Sequence, residues 1–166
     1  MAINAGAACL DRNQSQTGFT LVDEANDANA TGTIDYVCIW WKIGDTCEVA
    51  SFIDEGGDVL STHTFVSLAD KGNGEQEYNA PGDFTAFDID ISEYIGIWPD
   101  SGEVEVADSG GDGMWDDRDS QIPCSSNSFS LNATYGLSLY ATGTEGNGGL
   151  SIPIAMHHYK QMAGAG

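Results

Sequence analysis

The stretch from Gly32 to Ile53, GTIDYVCIWWKIGDTCEVASFI, constrains the fold more than any other part of the chain. It consists of two β-runs around a polar break at Gly44-Asp45-Thr46. Successive side chains on a strand alternate sides, so Val37, Ile39, Trp41 and Ile43 share one face of the first run. Tyr36, Cys38, Trp40 and Lys42 share the other, and Asp35 is the outlier at the strand's start. Large apolar groups on both faces place such a strand in the middle of a sheet. A second sheet is expected on one side of it, and loops, an arm or a partner on the other. The Gly-Asp break predicts a tight turn to an antiparallel neighbour, and this hairpin is expected to form the core of a single β-sandwich.

The same period recurs along the chain. Residues 1–16 are small and polar and read as a leader into a first strand at Thr17 to Val22. Asp54-Glu55-Gly56-Gly57 predicts a second tight turn into a strand from Val59 to Leu68. Residues 70–82 read as a long polar loop. Phe84, Phe87, Ile89 and Ile91 mark a strand with Asp88 and Asp90 facing water, and Val104 and Val106 one with Glu103 and Glu105 facing out. Leu137 and Leu139 close the series. Roughly eight to ten short strands joined by Gly/Asp turns predict an all-β, antiparallel sandwich, jelly-roll-like, spanning residues 17–142. Residues 143–149 (GTEGNGG) read as a Gly-rich linker, and 150–166 as a C-terminal extension arm.

That arm carries Leu150, Ile152, Ile154, Met156 and Tyr159. So many apolar groups are out of place in a disordered tail, because disorder goes with low hydrophobicity. They are expected to dock on a neighbouring subunit or a larger particle. The alternative is a final strand completing its own sandwich, with Pro153 marking an edge position.

Charge bounds the partners. Of 166 residues, 26 are Asp or Glu and 5 are Lys or Arg, a formal charge of −21. Such a surface repels phosphate backbones and anionic headgroups, which argues against nucleic acid and membrane surfaces as partners. It fits cation binding, a basic partner or a saline milieu. The first ten residues lack the basic and apolar regions of a secretory signal, and no window reaches the ~18 apolar residues of a membrane span.

Carboxylates crowd Asp108 to Ser120 (DSGGDGMWDDRDS), where Asp108, Asp112, Asp116, Asp117 and Asp119 surround flexible glycines. This supply of hard oxygen donors suits calcium, although the spacing matches no EF-hand. The plain alternative is an acidic surface loop with Arg118 as its counter-charge. Tyr94, Trp98 and Trp115 are the candidate sugar-stacking aromatics, with core positions as the alternative. Same-face pairs such as Asp88/Asp90 and Glu103/Glu105 offer a glycosidase its two carboxyls, but patterning alone produces them in so acidic a chain. No nucleophile elbow, P-loop or zinc-protease motif is present, so no enzymatic activity is expected. Cys9, Cys38, Cys47 and Cys124 allow three disulfide pairings or none, and the spacing does not choose.

The segments TGTIDYVCIWW (31–41), CEVASF (47–52), FDIDISEYIGIW (87–98), IPCSSNSFSL (122–131) and GLSLYATGTE (136–145) resemble a group of uncharacterised β-sandwich proteins of tailed phages and environmental virus-like sequences. The likeness runs over roughly residues 10–145 in strand-and-turn patterns. It implies a compact sandwich in a virion structural or host-interaction setting, on the surface of an extracellular particle. It transfers no catalytic residue, and it nominates Cys47–Cys124 as a disulfide. The expected function is therefore a non-enzymatic virion structural protein, a capsid decoration (cement, turret or spike) or tail-associated subunit. Its expected partners are the major capsid protein or other virion subunits, and its own copies in an oligomer, a trimer on symmetry grounds. The alternatives are a carbohydrate-binding module recognising a host glycan, and a β-sandwich glycan hydrolase or lyase.

Overall fold

Val37, Ile39 and Trp41 are all buried, as their alternation requires, and the strand that carries them runs through the middle of a sheet. The computed structural model describes residues 1–146. From the amino terminus the strands are β1 (Ala2–Gly6), β2 (Gln14–Gln16), β3 (Phe19–Asp23), β4 (Gly32–Ile43), β5 (Cys47–Gly56), β6 (Val59–Leu68), β7 (Gly74–Asn79) and β8 (Phe87–Ile89). They continue as β9 (Tyr94–Trp98), β10 (Glu103–Ala107), β11 (Met114–Arg118), β12 (Asn127–Ser128), β13 (Ser130–Asn132), β14 (Gly136–Leu137) and β15 (Leu139–Glu145).

These strands make two antiparallel sheets that pack face to face as an all-β sandwich. The first is ordered β1-β15-β4-β10-β14, with β2 on β10 and with β7 and β8 on β4. The second is ordered β12-β6-β5-β9-β3-β11-β13. Ile34, Ile39 and Leu139 of the first sheet meet Leu21, Val49 and Ile97 of the second in the interior. Each large aliphatic group buried there contributes about 1.5–3 kcal/mol before its ordering cost.

The connection at Gly44-Asp45-Thr46 is an arch between sheets and not the expected hairpin. β4 already has partners on both edges, β15 and β10 on one and β7 and β8 on the other. Its Val37, Ile39 and Trp41 therefore face the same interior as Cys47 and Val49 of β5, but from the opposite sheet. The true hairpin is β5–β6, turning at Gly56, Gly57 and Asp58, all left-handed (φ 91°, 66° and 63°). Glycine adopts that region without steric cost, and Asp is among the few other residues that tolerate it. Asp35, the outlier in the alternation, is the extra residue of a bulge. Thr142 opposes Tyr36 and Gly143 opposes Ile34, leaving Asp35 unopposed. Its carbonyl accepts the Ala80 N–H at 2.9 Å and its carboxylate the Thr144 hydroxyl at 2.9 Å.

Three further expectations are corrected. Residues 1–16 are not a leader: β1 pairs with β15 and buries Ile3 and Ala5, and β2 pairs with β10. Residues 70–82 contain β7, which lies along β4 and buries Tyr78. The sandwich extends past residue 142, since Gly143, Thr144 and Glu145 belong to β15, so the linker boundary falls inside a strand. The arm residues Leu150, Ile152, Ile154, Met156 and Tyr159 lie outside the described residues.

Each sheet is covered over part of its outer face, and this sets where sites can lie. On the second sheet, Val22, Phe52 and Trp115 form a smaller core under the segment 119–129, which contributes Ile122 and Phe129. Phe52 meets Phe129 edge-on at 6.1 Å between centroids. On the first sheet the cover is the segment between β1 and β2. There Arg12 donates from Nε to the Ser138 hydroxyl at 2.7 Å, and its backbone N–H donates to buried Glu105 at 3.2 Å. Glu105, expected to face water, is only 2% exposed beneath this segment and also pairs with Lys42 at 3.8 Å.

Candidate functional site

The aromatic residues nominated for stacking separate into two environments. Tyr94 and Trp98 lie on the outer face of β9, two residues either side of Gly96, and Trp115 lies two strands away on β11. Trp115 is buried in the small core, meets Tyr94 edge-on at 5.0 Å, and donates its indole N–H to Asp58 at 2.8 Å. Its ring faces are therefore taken up by protein, and no sugar can stack on it. Trp98 is half-buried and lines an open cavity of about 340 Å³ with Thr46, Glu48, Ser67 and Asp100.

The cavity follows from strand register. Glu48 of β5 sits opposite both Trp98 of β9 and Ser67 of β6, so three side chains form a row across the sheet. Asp100, left-handed at φ 48°, turns the chain at the rim, where its carboxylate accepts the Thr46 hydroxyl at 3.3 Å. Burial, reinforced by the Asp100 charge, pushes the Glu48 carboxyl above its ordinary value. The Cys47 thiol beneath is raised far more, again by burial first, and is therefore a poor nucleophile. An aromatic face beside two carboxylates and two hydroxyls can hold a polyhydroxylated or cationic ring.

The acidic segment 108–119 does not form a single oxygen cage. Met114 and Trp115 bury on opposite faces, which draws the middle of the segment into the sheet as β11. Asp116 and Asp117 are adjacent on that strand and so point to opposite sides. Asp116 accepts from the Asn132 amide, and burial raises its carboxyl above the ordinary value. Asp117 accepts from the Asn127 amide at 2.7 Å and Asp108 from Asn13 at 2.7 Å, while Asp112 and Asp119 are exposed. Arg118 lies over the Phe19 ring at 5.1 Å and is not the counter-charge of this loop.

Asp88 and Asp90 are both exposed, as expected, but Glu103 and Glu105 are not. Glu103 accepts from Ser15 at 2.8 Å, and Glu105 is sealed under the amino-terminal segment. The disulfide is Cys9–Cys38, with Cα atoms 5.9 Å apart. The Cys47–Cys124 pairing is overturned by geometry. Cys47 faces the interior between the sheets, and Cys124 packs on the outer face of the second sheet, so the sheet lies between them.

One group escaped the sequence reading. His63, Asp90 and Glu93 bring an imidazole nitrogen and two carboxylates within 4.8 Å of one another. His63 Nδ1 is 2.9 Å from Glu93, which is 95% buried, and this contact raises the His63 pKa. Only the fold brings β6 to the β8–β9 turn, so a separation of 30 residues carried no signal.

No protein-family model, curated protein or solved structure matches this chain.

Proposed function

We propose that the protein is a non-enzymatic virion structural protein, a capsid decoration or tail-associated subunit that assembles through its carboxyl-terminal segment. The observation carrying this reading is that β15, the last described strand, runs between β1 and β4, so both of its edges are occupied. On this reading Leu150, Ile152, Ile154, Met156 and Tyr159, which follow β15 in the sequence, are the anchors of assembly. Several aliphatic anchors at about 1.5–3 kcal/mol each are enough to hold an oligomer or a particle surface. The surface charge is consistent with a partner that is neither nucleic acid nor anionic lipid.

The test is removal of residues 147–166. The truncated chain should keep its melting transition, yet sediment as a monomer where the full chain sediments as an oligomer, a trimer by symmetry. Mass spectrometry of purified particles should find the full chain in stoichiometric amounts. A truncated chain that unfolds, or particles that lack the protein, would refute the reading.

The Trp98 cavity favours a second reading, recognition of a host glycan. Glycan-array binding that Trp98→Ala abolishes, while Trp115→Phe leaves it intact, would support that reading. Binding that ignores Trp98 would dismiss it.

A further inference from the structure

We propose that His63, Asp90 and Glu93 form a binding site for one first-row divalent transition metal ion, with zinc as its representative. The three side chains come from two rigid elements. His63 is in the middle of β6, and Asp90 and Glu93 belong to the turn between β8 and β9, where the chain passes from the first sheet to the second. That turn is held from several directions. The Glu93 N–H donates to the Asp90 carbonyl at 3.1 Å, and the Ala28 N–H to the Glu93 carbonyl at 2.7 Å. The Ser92 N–H returns to Ala28 at 2.9 Å, and the Ile91 N–H reaches the Thr31 hydroxyl at 2.9 Å. β5 and β6 are both fixed against β8 in turn, because Ser51 and Thr64 donate to the Asp88 carbonyl. Donors positioned this way are preorganised, which is what a specific site needs.

Distance and chemistry agree. The donor atoms lie within 4.8 Å of one another, and His63 Nδ1 is 2.9 Å from the Glu93 carboxylate. A zinc ion with ligands at about 2.0–2.2 Å asks for donors roughly 3–4 Å apart, so small side-chain rotations close the shell. One imidazole with two carboxylates suits zinc or cobalt better than calcium, which prefers an all-oxygen shell. His63 and Asp90 are exposed, leaving room for water to complete the coordination.

Charge supplies an independent reason. Glu93 is a carboxylate only 5% exposed, and among the described residues its one ion pair is with His63. No lysine or arginine forms an ion pair with Glu93 or Asp90 among those residues. The Glu93 carboxylate also accepts the Asp90 N–H at 3.0 Å, and among the described residues His63 is the one cationic group set against the two carboxylates. A divalent ion would compensate both. The acidic segment 108–119 lacks this combination of a buried carboxylate and a nitrogen donor.

The probe is Zn²⁺ titrated calorimetrically into the chelator-treated full chain at ~0.5 M NaCl, where a Debye length between about 3 and 8 Å suppresses diffuse cation uptake. One ion per chain should bind, and His63→Ala and Asp90→Asn should each weaken binding at least about tenfold. Co²⁺ should give a visible absorption band that His63→Ala loses. The sequence holds a rival donor pair, His157-His158, so a His157→Ala/His158→Ala variant should bind unchanged. Circular dichroism shows which variants fold. If His63→Ala does not, Asp90→Asn on the exposed turn decides alone. Uptake indifferent to Asp90→Asn and to any folded His63→Ala, uptake lost with the tail histidines, or no stoichiometric uptake overturns the site.

Discussion

Cys9 is bonded to Cys38, and the bond ties the segment that covers the first sheet to the central strand of that sheet. It closes a loop of 29 residues, so reduction should cost about 2–4 kcal/mol through the freedom regained by the unfolded chain. Urea midpoints with and without dithiothreitol measure this. Non-reducing peptide maps should contain the 9–38 pair, with Cys124 alkylated before the buried Cys47. A linked 47–124 peptide would contradict the assignment.

Gly96 is where β9 lets Phe52 and Val22 of the small core close over it. A methyl group there would lie 2.7 Å from the Phe52 ring, 2.7 Å from Val22 and 2.8 Å from the Leu21 carbonyl. Gly96→Ala should destabilise the fold by about 1–3 kcal/mol, the usual scale of overpacking. Thermal melts of the variant check this, and an unchanged midpoint would mean that Phe52 and Val22 yield freely.

Asp58 terminates the β5–β6 turn and accepts the Trp115 indole N–H at 2.8 Å. Asp58→Gly keeps the left-handed turn but strands a buried donor, at about 1–3 kcal/mol. Asp58→Asn keeps both turn and acceptor and should cost less. Equal losses for the two in chemical denaturation would locate the effect in the turn and not in the hydrogen bond.

Asp23 is buried, and that burial raises its pKa, while hydrogen bonds from Asn26 oppose the rise. The folded state therefore holds the proton more tightly than the unfolded one. Stability is unaffected by this group below the ordinary Asp value, falls as pH climbs from there through the raised folded value, and stays reduced above it. Asp23→Asn keeps an acceptor for the Asn26 N–H and removes the titration. The stability difference between variant and parent should move in the variant's favour from pH 3 to pH 7, flanking the ordinary Asp value of about 3.9. A difference constant with pH would show that Asp23 does not titrate in this way.

How much of this was legible in the residues depends on how local the cause is. The strand at 59–68 and the Gly56-Gly57 turn were read correctly, because alternation and glycine act within a few residues. The Gly44 arch was not, because whether a short break makes a hairpin depends on β4's edges being filled by strands far along the chain. β7 was missed since Tyr78 is its one fully buried side chain, and hydrogen bonding to β4 supplies the rest. Of the nominated aromatics Trp98 lines the cavity described above, and the His63 group needed both sheets in place before its spacing meant anything.

The neighbouring placement of β1 and β15 has a mechanical consequence. The amino group of Met1 lies 2.9 Å from Glu145, so a pull between residues 1 and 145 starts at one end of a single antiparallel pair. Hydrogen bonds loaded that way give one after another, and a small force should peel β1 away. The peel then reaches Cys9, whose bond to Cys38 passes the load directly into β4. Roughly 30 Å of chain is released before that stop, at about 3.3–3.6 Å per residue. Beyond it the tension falls on a strand paired along both edges, so an oxidised molecule should extend by one short soft step and then resist.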